Sequence, residues 1–170
     1  MFANCLKTLL TATAVVLLVQ TGCFAQKEDS VQASLFADPG AVGHHKIVGM
    51  WDTVVTIRVC ATGTPITSFA AIGLFNTGGT FNNTDTQNPA TVSSVPGIWA
   101  AAGPNQYNLA FKVFRFNTSG AFIGSTVVRH VLTLSDSGDE YTSEGTSAMY
   151  DATGTQISTG CSTTEAQRFQ

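Results

Sequence analysis

Charged side chains are scarce in this sequence, and the short motifs that mark common enzyme classes are missing. Charged residues make up 11% of the 170 residues, and 8 basic against 11 acidic side chains give a net charge of −3. The few cations form no basic patch, which argues against a nucleic-acid-binding surface. The chain also lacks a nucleophile elbow, a phosphate-binding loop and the Cys/His spacing of a metal site. We therefore predict no catalytic residue, no cofactor and no bound metal, and a non-enzymatic function is favoured.

Helical patterns are missing as well. No segment repeats apolar residues at helical spacing over three turns, whereas short runs rich in β-branched and aromatic residues recur throughout. Clusters of Gly, Pro, Asn and Asp separate these runs at short, even intervals, as hairpin turns do. This spacing predicts eight β-strands. They span residues 47–60, 66–76, 80–86, 95–102, 107–117, 122–135, 140–150 and 156–169.

The number and order of these strands favour a closed sheet. Eight antiparallel strands joined in chain order leave two exposed edges if the sheet stays open, and closure removes both edges. We therefore predict an all-β fold, an eight-stranded antiparallel up-and-down β-barrel, as a single domain over residues 47–170. A barrel of this size is either filled by its own side chains or leaves room for one small ligand.

The first and last predicted strands offer a test of closure. In an antiparallel pair, the numbers of directly opposed residues have one constant sum. If Cys60 and Cys161 are directly opposed, Trp51 faces Gln170, and Arg168 lies on the diagonal within reach of the indole. One register therefore satisfies both contacts.

Residues 1–25 have the shape of a secretory signal peptide. Lys7 precedes an apolar run that is too short to span a bilayer permanently, and small residues follow it. Cleavage after Ala25 predicts a secreted or periplasmic protein. The alternative is lipoprotein processing at Cys23, whose preceding residues resemble the end of a lipobox. Only this alternative predicts attachment to a membrane.

Export determines how the four cysteines are interpreted. Two of them lie in the segment that is removed or lipidated, which leaves Cys60 and Cys161. In an oxidising compartment, a lone pair of this kind predicts a disulfide. Because its loop covers most of the domain, the chain-entropy model assigns it a stabilisation of about 4 to 5 kcal/mol.

A resemblance to a known family comes from both ends of the predicted barrel. Gly49-Met50-Trp51 in the first strand, together with Arg168 at the end of the last, resembles the pair that closes the base of lipocalins and other calycin barrels. The whole chain is similar to small exported bacterial proteins with lipocalin-like barrels. The resemblance implies that Trp51 packs across the barrel floor, with Arg168 over its ring in a cation–π contact. It also implies a small hydrophobic ligand.

Strand parity provides candidate walls for a ligand site. Alternate residues of a strand share a face, so Val55 and Ile57 lie together on the first strand, and Tyr107 and Phe111 on the fifth. Tryptophan in a strand is more often core, which gives Trp99 a second interpretation. The predicted ligand-binding residues of the lumen are Val55, Ile57, Trp99, Tyr107 and Phe111.

Apolar residues also occur on the opposite face of the fifth and sixth predicted strands. Phe114 and Phe116 continue the apolar pattern on the other parity, which indicates either a bulge near Val113 or an apolar outer surface. An apolar outer face is usually covered. A homo-oligomer is therefore predicted as a partner, or else contact with residues 26–46, which are predicted to form a flexible, exposed leader.

The histidines are the remaining candidates for chemistry. His44 and His45 could bind a metal, but adjacent side chains in an extended segment point apart, which favours a solvated pair in the leader. His130 could act as an acid or base in the lumen. Because no acidic residue stands at a spacing that fixes it as a partner, a structural or exposed role is favoured.

Three functions remain open. We favour a protein that holds a small apolar or amphipathic ligand in the barrel lumen. The second is a filled barrel that acts as a structural or interaction protein by oligomerising through its outer faces. The third is a barrel enzyme similar to allene oxide cyclases, which act largely by shaping an apolar substrate. A buried polar group in a cavity, such as His130, Glu144 or Tyr150, would favour the third.

Overall fold

The structure is a computed structural model that describes residues 45–170. The predicted signal peptide, residues 1–25, and leader residues 26–44 lie outside the described residues. Each predicted strand has an observed counterpart whose ends differ by at most two residues. The strands are β1 (Gly49–Arg58), β2 (Pro65–Phe75), β3 (Thr80–Asp85), β4 (Val95–Gly103), β5 (Gln106–Phe116), β6 (Phe122–Leu134), β7 (Glu140–Asp151) and β8 (Gln156–Arg168).

These strands close into a barrel. Each pairs antiparallel with its sequence neighbours, and β1 pairs with β8. The β7–β8 hairpin shows how the local sequence makes a turn, because Asp151 Oδ1 accepts hydrogen bonds from the backbone N–H groups of Thr153 and Thr155. Gly154 in this turn has a φ of 88°, which favours glycine. The predicted all-β, eight-stranded antiparallel up-and-down barrel is confirmed.

The register that closes the barrel differs from the predicted one by two residues. Trp51 lies directly opposite Arg168, and Arg58 lies opposite Cys161. The prediction that Trp51 faces Gln170 is therefore wrong. The ladder between β1 and β8 ends at Arg58, and Cys60 already lies in the following turn. The cysteines thus meet on a diagonal at the end of the ladder, while the indole and the guanidinium take the direct pairing.

Cys60 and Cys161 form the predicted disulfide. Their Cα atoms are 5.1 Å apart, with a sequence separation of 101. Disulfides persist in oxidising compartments and are rare in the cytosol. The bond therefore indicates an oxidising, non-cytoplasmic environment.

The barrel interior is packed most tightly at one end, which we call the floor end. It holds the start of β1, the end of β8 and a cluster of buried aromatic and aliphatic side chains. At the opposite end, which we call the open end, lie the β1–β2, β5–β6 and β7–β8 hairpins. The floor cluster contains Ile47, Trp51, Phe75, Phe81, Trp99, Tyr107, Leu109, Leu132, Leu134, Tyr141 and Ala166.

The outer face of β5 is apolar near the open end. Pairing between β5 and β6 is regular through Val113, and the register shifts only between Arg115 and Phe116. Phe114 is 43% exposed, and its ring centroid lies 5.9 Å from that of Phe122. Of the two predicted alternatives, the apolar outer surface is observed at Phe114, and the register shift lies two residues beyond Val113.

Candidate functional site

Trp51 and Arg168 close the floor of the lumen. The Trp51 side chain is fully buried, and its indole N–H donates a hydrogen bond to the Ile47 carbonyl at 2.9 Å. The Arg168 guanidinium lies 4.3 Å from the indole ring centroid and donates to the carbonyls of Val48 and Gly138. These contacts hold the segment before β1 across the end of the barrel, in a cation–π arrangement of the kind that the family resemblance implies.

Two of the predicted ligand residues, Trp99 and Tyr107, lie in this floor. Both are buried, and their ring centroids are 5.8 Å apart. The half-buried His45 stands edge-on to both rings, and the Trp99 indole N–H donates to the Asn76 carbonyl. Their packing is that of core residues, and their contact with a ligand stays a prediction. His44 lies outside the described residues, so metal binding by the histidine pair also stays a hypothesis.

Above the floor, the inner face of the barrel is apolar but incompletely covered. Val55 and Ile57 on β1 share a face with the buried Trp51 and Thr53, yet both are only half-buried, as is Phe111 on β5. Phe69, Val113 and Met149 are half-buried at inner-face positions of their own strands. The inner face therefore changes from fully buried side chains at the floor to half-buried apolar side chains toward the open end. An eight-stranded barrel either is filled by its own side chains or leaves room for one small ligand, and we call the half of the lumen with these half-buried walls the accessible half.

Three polar side chains lie at the boundary between these two halves. His130 Nδ1 is 2.8 Å from Ser143 Oγ, and His130 Nε2 is 2.9 Å from Ser162 Oγ. All three side chains are buried. Ser143 pairs with Leu132 of the floor cluster, whereas Ser162 pairs with the half-buried Ile57. Ser162 is thus the member of the group nearer to the open end.

Burial determines the protonation state of His130. Desolvation lowers its pKa to about 4, so the imidazole is neutral at pH 7. A neutral imidazole offers one N–H donor and one acceptor nitrogen. One serine therefore donates a hydrogen bond to His130, and the other accepts one from it. Burial likewise raises the pKa of Tyr141 in the floor.

The sequence offers His130 as a candidate but identifies neither serine partner. Of the structural and exposed roles favoured for His130, the exposed one is wrong, because the residue is 6% exposed. The serines come from β7 and β8, and their meeting with β6 depends on the register of three strands. Ser143 shares a strand face with Tyr141, which indicates that the serine points inward. No local sequence pattern identifies His130 as the partner of Ser143. Glu144, the acidic group considered for the lumen, is exposed.

The comparisons with known proteins add little to this geometry. No protein-family model matches the chain, and no curated protein matches it. Among solved structures, the chain is similar to the crystal structure of Rv2717c from M. tuberculosis, with 11% sequence identity and a TM-score of 0.36. The match covers 74% of this chain and 94% of that chain. A likeness of this strength carries no argument about function.

Among residues 45–170, no helix has the length and apolar character needed to cross a membrane. In the same range, no group of three or more His, Cys, Asp or Glu side chains is placed to hold a metal ion.

Proposed function

We propose that this protein is a lipocalin-like carrier that binds a small apolar or amphipathic molecule in the accessible half of its lumen. One observation carries the proposal: Val55, Ile57 and Phe111 remain half-buried on the inner face of a closed barrel whose floor is sealed. Small-molecule sites are concave, mostly apolar and equipped with a few convergent polar groups. The lumen combines such walls with the hydroxyls of Ser143 and Ser162.

The proposal includes export of the protein. Residues 1–25 have the pattern of a signal peptide, and the Cys60–Cys161 disulfide requires an oxidising environment to persist. We favour a secreted or periplasmic product that begins at Gln26, with lipid attachment at Cys23 as the alternative. The intact mass of the mature protein distinguishes the two, because a lipoprotein carries acyl chains on its first residue.

Ligand binding can be tested with a neutral fluorophore, N-phenyl-1-naphthylamine, whose emission rises in apolar surroundings. The neighbouring residues Val54 and Val55 on β1 provide a matched pair, since Val54 is 51% exposed on the outer face and Val55 lies on the inner face. Val55→Trp fills the lumen and should weaken probe binding by about tenfold or more. Val54→Trp places the same side chain outside and should leave binding unchanged.

Two results would contradict the proposal. The first is a lack of probe binding by the unchanged, folded protein. The second is equal weakening by both substitutions, which would place the probe outside the lumen or indicate a general loss of structure. Unfolding curves of the two variants, recorded by tryptophan fluorescence, identify the latter case.

A second candidate function is assembly through the outer faces of β5 and β6. Phe114 and Phe122 are 43% and 45% exposed, their rings contact each other, and Ile123 beside them is 42% exposed. An apolar cluster of this kind favours burial against another surface. Light scattering after size-exclusion chromatography should show an oligomer. Phe114→Asp should dissociate it, whereas the control Thr133→Asp, on the exposed face of β6, should leave it intact. A monomer at all concentrations would exclude this function.

An enzyme of the allene oxide cyclase type is the third possibility, and His130 is the buried polar group that it requires. Both ring nitrogens of His130 are held by serine hydroxyls rather than by a carboxylate. With a pKa of about 4, the imidazole is a weak base at neutral pH. We therefore place binding above catalysis.

A further inference from the structure

We propose that Ser143 and Ser162, coupled through His130, form a head-group site for an uncharged oxygen, such as a ketone or hydroxyl oxygen, on the molecule that the lumen binds. This inference rests on the proposed carrier function and narrows its ligand class. It predicts a ligand that enters with its oxygen toward the floor and its apolar part toward the open end.

The backbone around His130 is arranged to hold this group of side chains. His130, Gly145 and Ser162 lie in one row across β6, β7 and β8. A Cβ atom at position 145 would overlap the Arg129 carbonyl oxygen and the His130 ring. The glycine therefore lets the imidazole lie across β7 and reach Ser143 on β7 and Ser162 on β8. An ordinary apolar core needs no such gap, because an aliphatic side chain could fill the same volume.

A count of hydrogens shows that the group has one donor to spare. Neutral His130 accepts a hydrogen bond from one serine and donates its N–H to the other. The serine that accepts this N–H still has its own O–H to donate. Among residues 45–170, neither Ser143 Oγ nor Ser162 Oγ makes another side-chain hydrogen bond. A buried hydroxyl without an acceptor is costly, so the site favours a molecule that supplies an oxygen.

The charges around the group favour an uncharged ligand. Arg129, Glu144 and Glu165 on the three neighbouring strands are exposed and lie on the outer face. Arg115 has the inner parity of β5, but it lies at the open end and donates to the Tyr150 carbonyl. A carboxylate beside His130 would lose its hydration without gaining a counter-ion, which is unfavourable. A neutral carbonyl or hydroxyl oxygen avoids this cost and still accepts a hydrogen bond from the serine hydroxyl.

Ser162 is the hydroxyl that a ligand would reach first. It pairs with Ile57, which lines the accessible half of the lumen, while Ser143 pairs with Leu132 in the floor. In the tautomer that leaves the Ser162 proton free, the Ser143 O–H donates a hydrogen bond to His130 Nδ1, and the His130 Nε2–H donates one to Ser162 Oγ. The Ser162 O–H is then free to point toward the lumen.

The test compares two molecules of the same shape in displacing N-phenyl-1-naphthylamine from the full chain. They are 2-decanone and 2-methyl-1-decene, in which a methylene group replaces the ketone oxygen. The ketone should displace the probe at about fivefold lower concentration, as expected for one net hydrogen bond. Decanoate should displace it less well than the ketone.

Two serine variants locate the effect. The double variant Ser143→Ala/Ser162→Ala should lose the preference for the ketone and keep its affinity for the alkene. Ser125→Ala is the control, because Ser125 is buried on β6 at the parity opposite to His130 and should leave the preference intact. If the double variant does not fold, ¹⁵N NMR of His130 in the unchanged protein replaces it. The imidazole shifts should then change with the ketone and not with the alkene.

The outcomes separate this inference from the carrier function. If the probe does not bind the unchanged protein, the carrier function itself is wrong. If the probe binds but ketone and alkene displace it equally, or if decanoate displaces it best, only the head-group site is overturned. A ketone preference that survives loss of both serines would also overturn it.

Discussion

At the residue scale, Trp51 and Arg168 determine how one end of the barrel is sealed. The indole fills the floor and is bound by its N–H to Ile47, and the guanidinium covers it from outside. Both side chains donate hydrogen bonds to backbone carbonyls outside the strands, namely those of Ile47, Val48 and Gly138. The pair therefore couples burial of a large side chain to the position of the connecting segments.

Replacing Trp51 by alanine should destabilise the protein by about 3 to 5 kcal/mol, because it leaves a cavity in the floor and removes the platform for Arg168. Urea unfolding followed by circular dichroism measures this loss. Trp51→Phe serves as the control and should cost less, since it keeps most of the buried volume. An unchanged unfolding midpoint for the alanine variant would show that the floor does not depend on this side chain.

His130 should make stability depend on pH. Its pKa is about 4 in the folded protein and 6.5 in the unfolded chain, so the unfolded state binds a proton first as the pH falls. Stability from the neutral imidazole is complete above pH 6.5 and is lost between pH 6.5 and about 4. The loss amounts to about 3 kcal/mol.

Urea unfolding at pH 7.5 and pH 4 measures this dependence, and His130→Gln isolates it from the contribution of the carboxylates. The unchanged protein should lose about 3 kcal/mol more than the variant over this range. Equal losses in the two proteins would mean that His130 is not buried in its neutral form.

At the scale of elements, strand positions and strand order could be predicted from the sequence, whereas the exact register between strands, and with it the side-chain contacts between strands, could not. Turn residues mark the ends of each strand, so every predicted boundary falls within two residues of the observed one. The closing register depends on where the β1–β8 ladder ends, and that end lies before Cys60 rather than at it. Strand parity alone places Val55 and Phe111 on the inner face. Identification of the serines that contact His130 needs the register of three strands, β6, β7 and β8.

The disulfide connects the two terminal strands at the open end, away from the Trp51–Arg168 pair. Replacing Cys60 and Cys161 together by serine should lower the free energy of unfolding by about 4 to 5 kcal/mol, because their separation of 101 residues makes the closed loop long. Chemical reduction of the unchanged protein should lower the free energy of unfolding, measured by urea unfolding, by the same amount. A shift of less than about 1 kcal/mol in both experiments would show that the unfolded chain gains little freedom when the bond is lost.

At the scale of the whole molecule, the inner face is fully buried at the floor end and half-buried toward the open end. Aromatic side chains fill the floor, a group of buried hydroxyls with His130 lies above them, and half-buried apolar walls continue to the open end. In the function that we propose, the layer of hydroxyls faces the polar end of an amphipathic ligand, and the apolar walls face its apolar end. The outer cluster around Phe114 gives the same barrel a separate surface for assembly.

The central claim is that the ligand lies inside the barrel, and NMR can locate it directly. Nuclear Overhauser contacts from bound N-phenyl-1-naphthylamine should reach the methyl groups of Val55 and Val128 on the inner face. They should not reach Val54 and Val131, which are 51% and 47% exposed on the outer face of the same two strands. Contacts confined to Val54 and Val131 would contradict the claim and place the binding site on the outside.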